Sequence, residues 1–183
     1  TTSGGEMIFS FATIEDNGNE KSSIIRWAPV FNFQSMLNVD FTNSLGIFSG
    51  LAIRNVGYIY DGYTEPETGD EVKKKFRTYN AGIPIGLKLG NLNKTFIYGG
   101  YEFEFPLHYK EKTFKNEKKD KFGVWFSDRV ETFQHAFMIG FQFKYGGNLK
   151  FKYYLSSFHN KDYTELVDGV EIKPYEFLDA NVF

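Results

Sequence analysis

Hydrophobic and polar residues alternate along most of this chain. The clearest case runs from Phe133 to Tyr145, where large, mostly aromatic residues alternate with small or polar ones. Because successive side chains of a strand point to opposite faces, this period of two predicts a β-strand. An aromatic face opposite a small or polar face is typical of a strand with lipid on one side and a narrow polar interior on the other.

The same alternation predicts eight strands in all. Their bounds are approximately Met7–Glu15, Ile24–Phe41, Gly46–Tyr60, Phe76–Gly90, Phe96–Lys112, Phe133–Tyr145, Leu149–His159 and Lys173–Phe183. The second to sixth exceed the five or six residues usual in soluble sheets, and they reach the roughly 9–11 residues that a membrane-spanning strand needs.

The connections between these strands alternate in length. Tight turns rich in Asn, Gly and Ser fall at 42–44, 91–94 and 146–148, and longer polar segments fall at 16–23, 61–75, 114–129 and 160–172. We therefore predict one domain, 1–183, with an all-β fold: an eight-stranded antiparallel up-and-down transmembrane β-barrel. Four long loops would lie at one end and three short turns at the other.

The polar face of the strands would then line the interior. A barrel of eight strands is just wide enough for side chains to fill it, and buried charges must pair. We expect a filled polar lumen built from Arg54, Lys88, Glu102, Glu104, Gln134, Gln142, Lys144 and Lys152. A sharper alternative is an ion path through Glu102, Glu104 and His108, although a pore needs more strands than this chain supplies.

The apolar face would form a wall towards lipid or towards another outer-membrane protein. Its expected members are Phe31, Phe33, Ile83, Ile85, Phe103, Phe105, Phe137, Phe141, Phe143 and Phe151. His135 falls among the phenylalanines of this face. Four prolines also fall inside the predicted strands and indicate bulges or breaks, because proline cannot donate a ladder hydrogen bond; they are Pro29, Pro84, Pro106 and Pro174.

Composition narrows the function classes. Aromatic residues make up 19% of the 183 residues, and the formal net charge of −2 argues against nucleic-acid binding. The absence of cysteine excludes thiolate chemistry and a thiolate metal site, and no sequence motif for a metal or a cofactor occurs. No stretch of 18 apolar residues exists, so a transmembrane helix is not expected.

The whole chain resembles small outer-membrane barrels of the OmpA- or OmpX-like type. The stretch from Gly82 to Gly90, Gly-Ile-Pro-Ile-Gly-Leu-Lys-Leu-Gly, and the Phe-rich strands resemble more closely the PorT-like outer-membrane barrels of Bacteroidota. This resemblance implies the outer membrane of a Gram-negative bacterium. It also implies insertion by an assembly machinery that reads an aromatic residue at the end of the last strand, a position that Phe183 fits. It supplies no catalytic residues.

The expected function is that of a non-enzymatic integral outer-membrane barrel, either structural or an accessory subunit of a larger envelope complex. One alternative is a soluble, lipocalin-like carrier, which would turn the aromatic face inward around an apolar ligand. Another is a lipid-modifying enzyme at the outer rim, for which Ser157, His159 and Asp162 are the candidate residues.

Overall fold

The computed structural model describes residues 1–65, 68–115, 118–167 and 169–183, with the backbone alone for Ser22. These ranges are all β-structure, turns and bends, and within them no helix is long and apolar enough to cross a membrane. The strands are β1 Thr2–Gly5, β2 Ile8–Ser10, β3 Ala12–Asp16, β4 Asn19–Ile24, β5 Arg26–Ala28, β6 Phe33–Asp40, β7 Leu45–Thr64, β8 Glu71–Asn91, β9 Thr95–Lys115, β10 Lys118–Trp125, β11 Gln134–Gln142, β12 Asn148–Tyr154, β13 Glu165–Val167, β14 Val170–Ile172 and β15 Leu178–Val182.

The short strands run end to end, so that the chain passes through the sheet eight times. β1 to β3 form the first pass, β4 to β6 the second, and β10 with β11 the sixth; β7, β8, β9, β12 and β15 each form one pass. The sheet order is β12-β11-β9-β8-β7-β4-β3-β15, and every described pair is antiparallel. The prediction of an all-β, eight-stranded antiparallel meander is thereby confirmed.

The two ends of this sheet come together. β15 pairs with β3, and Phe11 and Phe183 continue that ladder by exchanging backbone hydrogen bonds of 2.9 and 2.8 Å. On its other side, β15 meets the chain that follows β12, where the Phe158 N–H donates to the carbonyl of Ala180 at 2.8 Å. The last pass therefore lies between the first and the seventh, and the sheet curls around an interior.

The predicted long loops are mostly paired strand. The chain turns between β3 and β4 in two residues, Asn17 and Gly18, whose φ angles are 51° and 75°. Positive φ at both positions is the geometry of a type I′ hairpin, which Asn-Gly favours. The expected loop at 16–23 is therefore wrong.

The next two hairpins are extended in the same way. β7 and β8 stay paired up to Thr64 opposite Glu71, and β9 and β10 stay paired up to Lys115 opposite Lys118. Continued pairing satisfies the backbone polar groups of these polar segments, which a long loop would leave to water. The expected loops at 61–75 and 114–129 are corrected accordingly, and within 160–172 the strands β13 and β14 form a small hairpin. Residues 66–67, 116–117 and 168 lie outside the described residues.

Two of the prolines interrupt their predicted strands. Pro29 lies in a break between β5 and β6, where Phe31 has a φ of 60°. Pro174 lies in the turn that precedes β15. The other two stay within the ladder: Pro84 lies opposite Glu102, and Pro106 lies opposite Asn80.

A bulge next to Pro106 changes the facing of β9. Tyr79 lies opposite His108 and Asn80 lies opposite Pro106, so Leu107 has no partner on β8. Since side chains alternate along a strand, one extra residue reverses which positions face out. His108 therefore lies on the outer face between Tyr79 and Trp125, with ring centroids 6.1 and 4.4 Å away. This contradicts its expected place in the lumen and removes it from the ion path through Glu102 and Glu104.

Candidate functional site

The outer wall is apolar over the middle of the sheet. All ten predicted wall residues lie on it: Phe141 is partly buried against Phe143, and the other nine are 41–58% exposed. His135 also lies on this face, where its Nδ1 meets the hydroxyl of Tyr101. That contact gives the imidazole a polar partner among the phenylalanines.

The height of this apolar band can be read from β8. Its outward side chains run from Tyr79 through Ala81, Ile83, Ile85 and Leu87 to Leu89. The ten steps from Tyr79 to Leu89, at about 3.3 Å each, span about 33 Å, which a strand tilt of about 40° reduces to roughly 25 Å. That is about the height of the apolar band of outer-membrane barrels.

A carrier of an apolar ligand would need the opposite arrangement. Its aromatic face would be buried around the ligand, whereas Phe103, Phe137 and Phe151 are about half exposed on the outside. The interior at the same level carries charges, as described next. The lipocalin-like alternative is therefore not supported.

A chain of alternating charges crosses the interior. It contains three cations and three carboxylates in the order Lys150–Glu6–Arg54–Glu102–Lys152–Glu104. The first four N–O contacts measure 2.5, 2.6, 2.9 and 2.8 Å in that order, and Lys152 also contacts Glu104. Because each inner member touches opposite charges on both sides, the chain is neutral as a whole and compensates the cost of burying its charges.

Neutral side chains complete the hydrogen bonding at the Glu104 end. Glu104 accepts from the Tyr154 hydroxyl at 2.9 Å and from Asn80 Nδ2 at 2.7 Å, and Asn80 Nδ2 also lies 2.9 Å from Gln134 Oε1. Glu102, Glu104 and Gln134 are at most 1% exposed. This network contains Arg54, Glu102, Glu104, Gln134 and Lys152, five of the eight residues predicted for the lumen.

Glycine on the facing strand makes room for these carboxylates. A Cβ on Gly82 would lie 2.5 Å from Glu102 Oε1 and 3.4 Å from Glu104 Cγ. A larger residue at this inward position would push the carboxylate of Glu102 away from Arg54. Glycine at the inward position 82, between outward Ala81 and Ile83, is thus explained by the packing of the interior.

The other three predicted lumen residues lie apart from this network. Lys88 is buried and pairs with Asp40 at 2.5 Å. Gln142 is partly buried and donates to the carbonyl of Gly147 at 3.1 Å. Lys144 is exposed in the turn after β11, with its ammonium over the ring of Tyr145. Its lumen placement is wrong because β11 ends at Gln142, before the alternation in the sequence does.

Glu6 is the member of the charge chain that no strand pattern predicts. It lies between β1 and β2, where alternation is poor, and it bridges Arg54 and Lys150. Nothing in the sequence pattern singles it out. The charges of the network indicate only that one more carboxylate is needed, since Arg54, Lys150 and Lys152 outnumber Glu102 and Glu104 by one.

The interior is not filled throughout. An open cavity of about 1550 Å³ lies on the short-turn side of the charge chain, lined on one side by Thr1–Phe11 and on the other by Leu149–Lys152. The side-chain-filled lumen that we expected is therefore limited to the middle and the hairpin end. The ladder between β15 and β3 ends at Phe183, which places this residue at mid-height in the wall beside Phe11.

Beyond the charge chain, towards the long hairpins, the interior becomes aromatic. We call this region the upper aromatic cluster; its members are Tyr58, Phe76, Tyr109, Phe158, His159 and Tyr175, each at most 2% exposed. His159 stacks on Tyr175 at 4.2 Å, and its Nε2 lies 3.0 Å from the Tyr58 hydroxyl. Burial lowers the pKa of His159 to about 3, so its ring is neutral at pH 7.

The candidate catalytic residues are not assembled. His159 is enclosed in the upper aromatic cluster and is bonded to Tyr58. Ser157 Oγ accepts from the Ala180 N–H at 3.5 Å, and the Asp162 side chain is 93% exposed. Among the described side chains, no hydrogen bond joins Ser157, His159 and Asp162, so a nucleophile, base and orienting acid do not come together. Within the residues that the structure describes, no group of three or more His, Cys, Asp or Glu side chains could hold a metal ion.

Comparisons with known proteins add little to this picture. No protein-family model and no curated protein matches the chain. Two solved structures are similar, both of Ail, the attachment invasion locus protein of Yersinia pestis, one of them in complex with the heparin analogue sucrose octasulfate. Each is 11% identical to this chain, and the aligned region covers 98% of this chain and 90% of the Ail chain. The TM-scores are 0.37 and 0.38. Similarity at this level supports no inference about function.

Proposed function

We propose that this protein is a non-enzymatic integral β-barrel of the outer membrane of a Gram-negative bacterium, and that it serves as a structural or accessory subunit of an envelope complex. The observation that carries the proposal is the opposite polarity of the two faces. An apolar band of roughly membrane height faces outward, and a neutral chain of six paired charges, of which Arg54, Glu102 and Glu104 are fully buried, faces inward.

The plugged interior argues against a channel. Ions that pass along the axis would have to displace the paired charges around Arg54 and Glu102 and then cross the upper aromatic cluster. The working surfaces are therefore the wall and the long hairpins. The wall contacts lipid and is available to another outer-membrane protein. The Phe-rich strands and the Gly82 to Gly90 stretch, which resemble PorT-like barrels, support a Bacteroidota source.

Membrane insertion can be tested with one charge placed in the band. Phe137 faces outward at mid-band and is 56% exposed, so Phe137→Lys should weaken folding into phospholipid vesicles by about 2–4 kcal/mol. Leu166→Lys is the matched control, because Leu166 is 75% exposed on β13, outside the band, and should fold as the wild type does. The measurement is the folded fraction, seen as a mobility difference between unheated and heated samples on a gel.

Two further measurements complete the test. The wild type should need detergent for solubility and should give no unit conductance in a planar bilayer. Solubility as a monomer in plain buffer, or equal effects of Phe137→Lys and Leu166→Lys, would overturn the membrane assignment. Purification from native membranes in mild detergent tests the subunit role: a stable stoichiometric complex would support it, and isolation of the free barrel would contradict it.

A further inference from the structure

Six cations share one patch of the outer wall above the apolar band. We call them the basic face: Lys75, Arg77, Lys110, Lys112, Lys119 and Lys121. In the ladder of β8, β9 and β10, Lys75 lies opposite Lys112 and Lys112 lies opposite Lys121. In the next row, Arg77 lies opposite Lys110. Like charges directly opposite each other destabilise a sheet, so this arrangement needs another source of compensation.

No carboxylate supplies that compensation among the side chains that the structure describes. None of the six cations forms an ion pair there, although their neighbours do: Lys73 pairs with Asp61 at 3.2 Å, Lys74 with Glu111 at 2.6 Å and Lys115 with Asp70 at 2.5 Å. Glu111 belongs to the same strand as Lys110 and Lys112, but it faces inward. These six cations without an ion pair thus share one face.

The position of the basic face relative to the band is also specific. The row directly below it is aromatic and consists of Tyr79, His108 and Trp125 stacked side by side. Arg77 and Lys110 lie over the ring of Tyr79, at 5.7 and 5.3 Å from its centroid. Aromatic rows mark the interface between hydrocarbon and headgroups in membrane barrels, so the next rows along the strands lie at headgroup level.

We propose that the basic face binds the phosphate groups of an anionic lipid in the leaflet that surrounds the hairpin end of the barrel. The proposal rests on the membrane insertion proposed above. Paired lysines and an arginine are suited to phosphate oxygens, and the acyl chains of the same lipid would lie along the adjacent wall at Ala81, Ile83 and Phe105. A soluble polyanion could use the cations but would gain nothing from this apolar surface, which favours a lipid as the occupant.

The test uses the full-length chain folded in nanodiscs of neutral phosphatidylcholine that contain a few per cent of diphosphorylated lipid A or of its dephosphorylated form. Native mass spectrometry after release counts the retained lipid. The wild type should retain the phosphorylated form preferentially, and 0.5 M salt should abolish the preference. Inorganic phosphate at 10 mM is the arm that distinguishes a free anion from a headgroup, and it should not displace the lipid.

The decisive variant is Lys112→Gln/Lys121→Gln. Near a membrane surface each cation contributes roughly fivefold to binding, so the pair should lower retention by roughly 30-fold. Lys94→Gln/Lys144→Gln removes the same charge from exposed turn positions at the opposite end and should leave retention unchanged. Lys112→Arg/Lys121→Arg should bind as the wild type does, and the unheated gel mobility of every variant reports folding.

The outcomes separate the two proposals. A wild type that inserts but holds both forms of lipid A equally would overturn the phosphate site alone, as would equal losses in the two Gln variants. Competition by a soluble sulfated sugar, with no selective lipid retention, would assign the basic face to a polysaccharide instead. A wild type that does not insert into nanodiscs would overturn both the site and the membrane assignment.

Discussion

The two halves of the interior stabilise their buried side chains in different ways. In the middle of the barrel, Arg54 and Glu102 are buried within a line of alternating charges, where each group depends on named partners. In the upper aromatic cluster, Phe76 and Phe158 are buried by general packing against other rings. The first region depends on pairing, and the second on filled volume.

This difference predicts different responses to mutation. Removal of one member of a buried ion pair leaves its partner uncompensated, whereas removal of both can be nearly neutral. Removal of a buried ring costs free energy in proportion to the space that it leaves, and no second deletion restores the loss.

The largest effect should follow from a break in the charge chain. Glu102→Leu leaves Arg54 with Glu6 alone and Lys152 with Glu104 alone, and it should lower the free energy of unfolding by about 3–5 kcal/mol. Arg54→Met/Glu102→Leu leaves two balanced pairs, Lys150–Glu6 and Lys152–Glu104, and should recover most of that loss. Guanidinium titration of the folded protein in detergent measures both.

Exposed Lys144 provides the control for this experiment. Lys144→Leu removes a charge that sequence alternation assigned to the lumen, but its place in the turn predicts a change within about 0.5 kcal/mol. A double variant less stable than Glu102→Leu, or a large effect at Lys144, would contradict the pairing account.

The upper aromatic cluster should respond in a graded way. Phe76 is fully buried, with ring centroids 5.2 Å from Tyr58 and 4.7 Å from His159. Phe76→Ala should lower the free energy of unfolding by about 3–4 kcal/mol, and Phe76→Leu should lower it by less than half as much. Equal losses for Ala and Leu would show that the cluster depends on a specific ring contact rather than on volume.

The smallest effect concerns pH. The pKa of His159 is near 6.5 in the unfolded chain and about 3 in the folded protein, so the unfolded state binds more protons between these values. The contribution of His159 to the free energy of unfolding is therefore fully present above pH 6.5 and is lost as the pH drops. At pH 5 the loss from this residue is about 2 kcal/mol. Lys74, Arg129 and Asp179 are the charged groups that act on it.

His159→Gln isolates this contribution. The variant keeps a polar side chain near the Tyr58 hydroxyl but does not titrate, so its free energy of unfolding should vary less between pH 7.5 and 5 than that of the wild type. Denaturation curves at the two pH values give the difference. Identical pH profiles for the two proteins would mean that the ring takes up its proton inside the folded cluster as readily as in the unfolded chain.

The sequence was sufficient to predict the strands but not all of their limits. Alternation located all eight passes and put Arg54, Glu102, Glu104 and Lys152 inside, because one apolar face fixes the register of a strand. It failed where a local backbone feature changes the phase or the length. Asn17-Gly18 is a two-residue turn that polar composition had suggested was a loop.

The interior contacts were predictable only in part. Opposite charges on the polar face indicated pairing, but the order of the charge chain depends on how the sheet curls, which brings β12 across to β9 and to Glu6. The upper aromatic cluster joins residues separated by up to about a hundred positions, such as Tyr58 and His159. No local pattern encodes such contacts.

The unpaired Leu107 acts as a phase shift in the wall. Below it the odd-numbered residues of β9 face out and supply Phe103 and Phe105; above it the even-numbered residues do, and they supply Lys110 and Lys112. If Leu107 were paired in a regular ladder instead, Tyr109 and Glu111 would be on the surface and the lysines would be packed among the rings of the interior. The bulge thus lets one uninterrupted strand carry an apolar surface, a basic surface and two different linings, and regular pairing of Leu107 would exchange inside for outside along the whole upper half of β9.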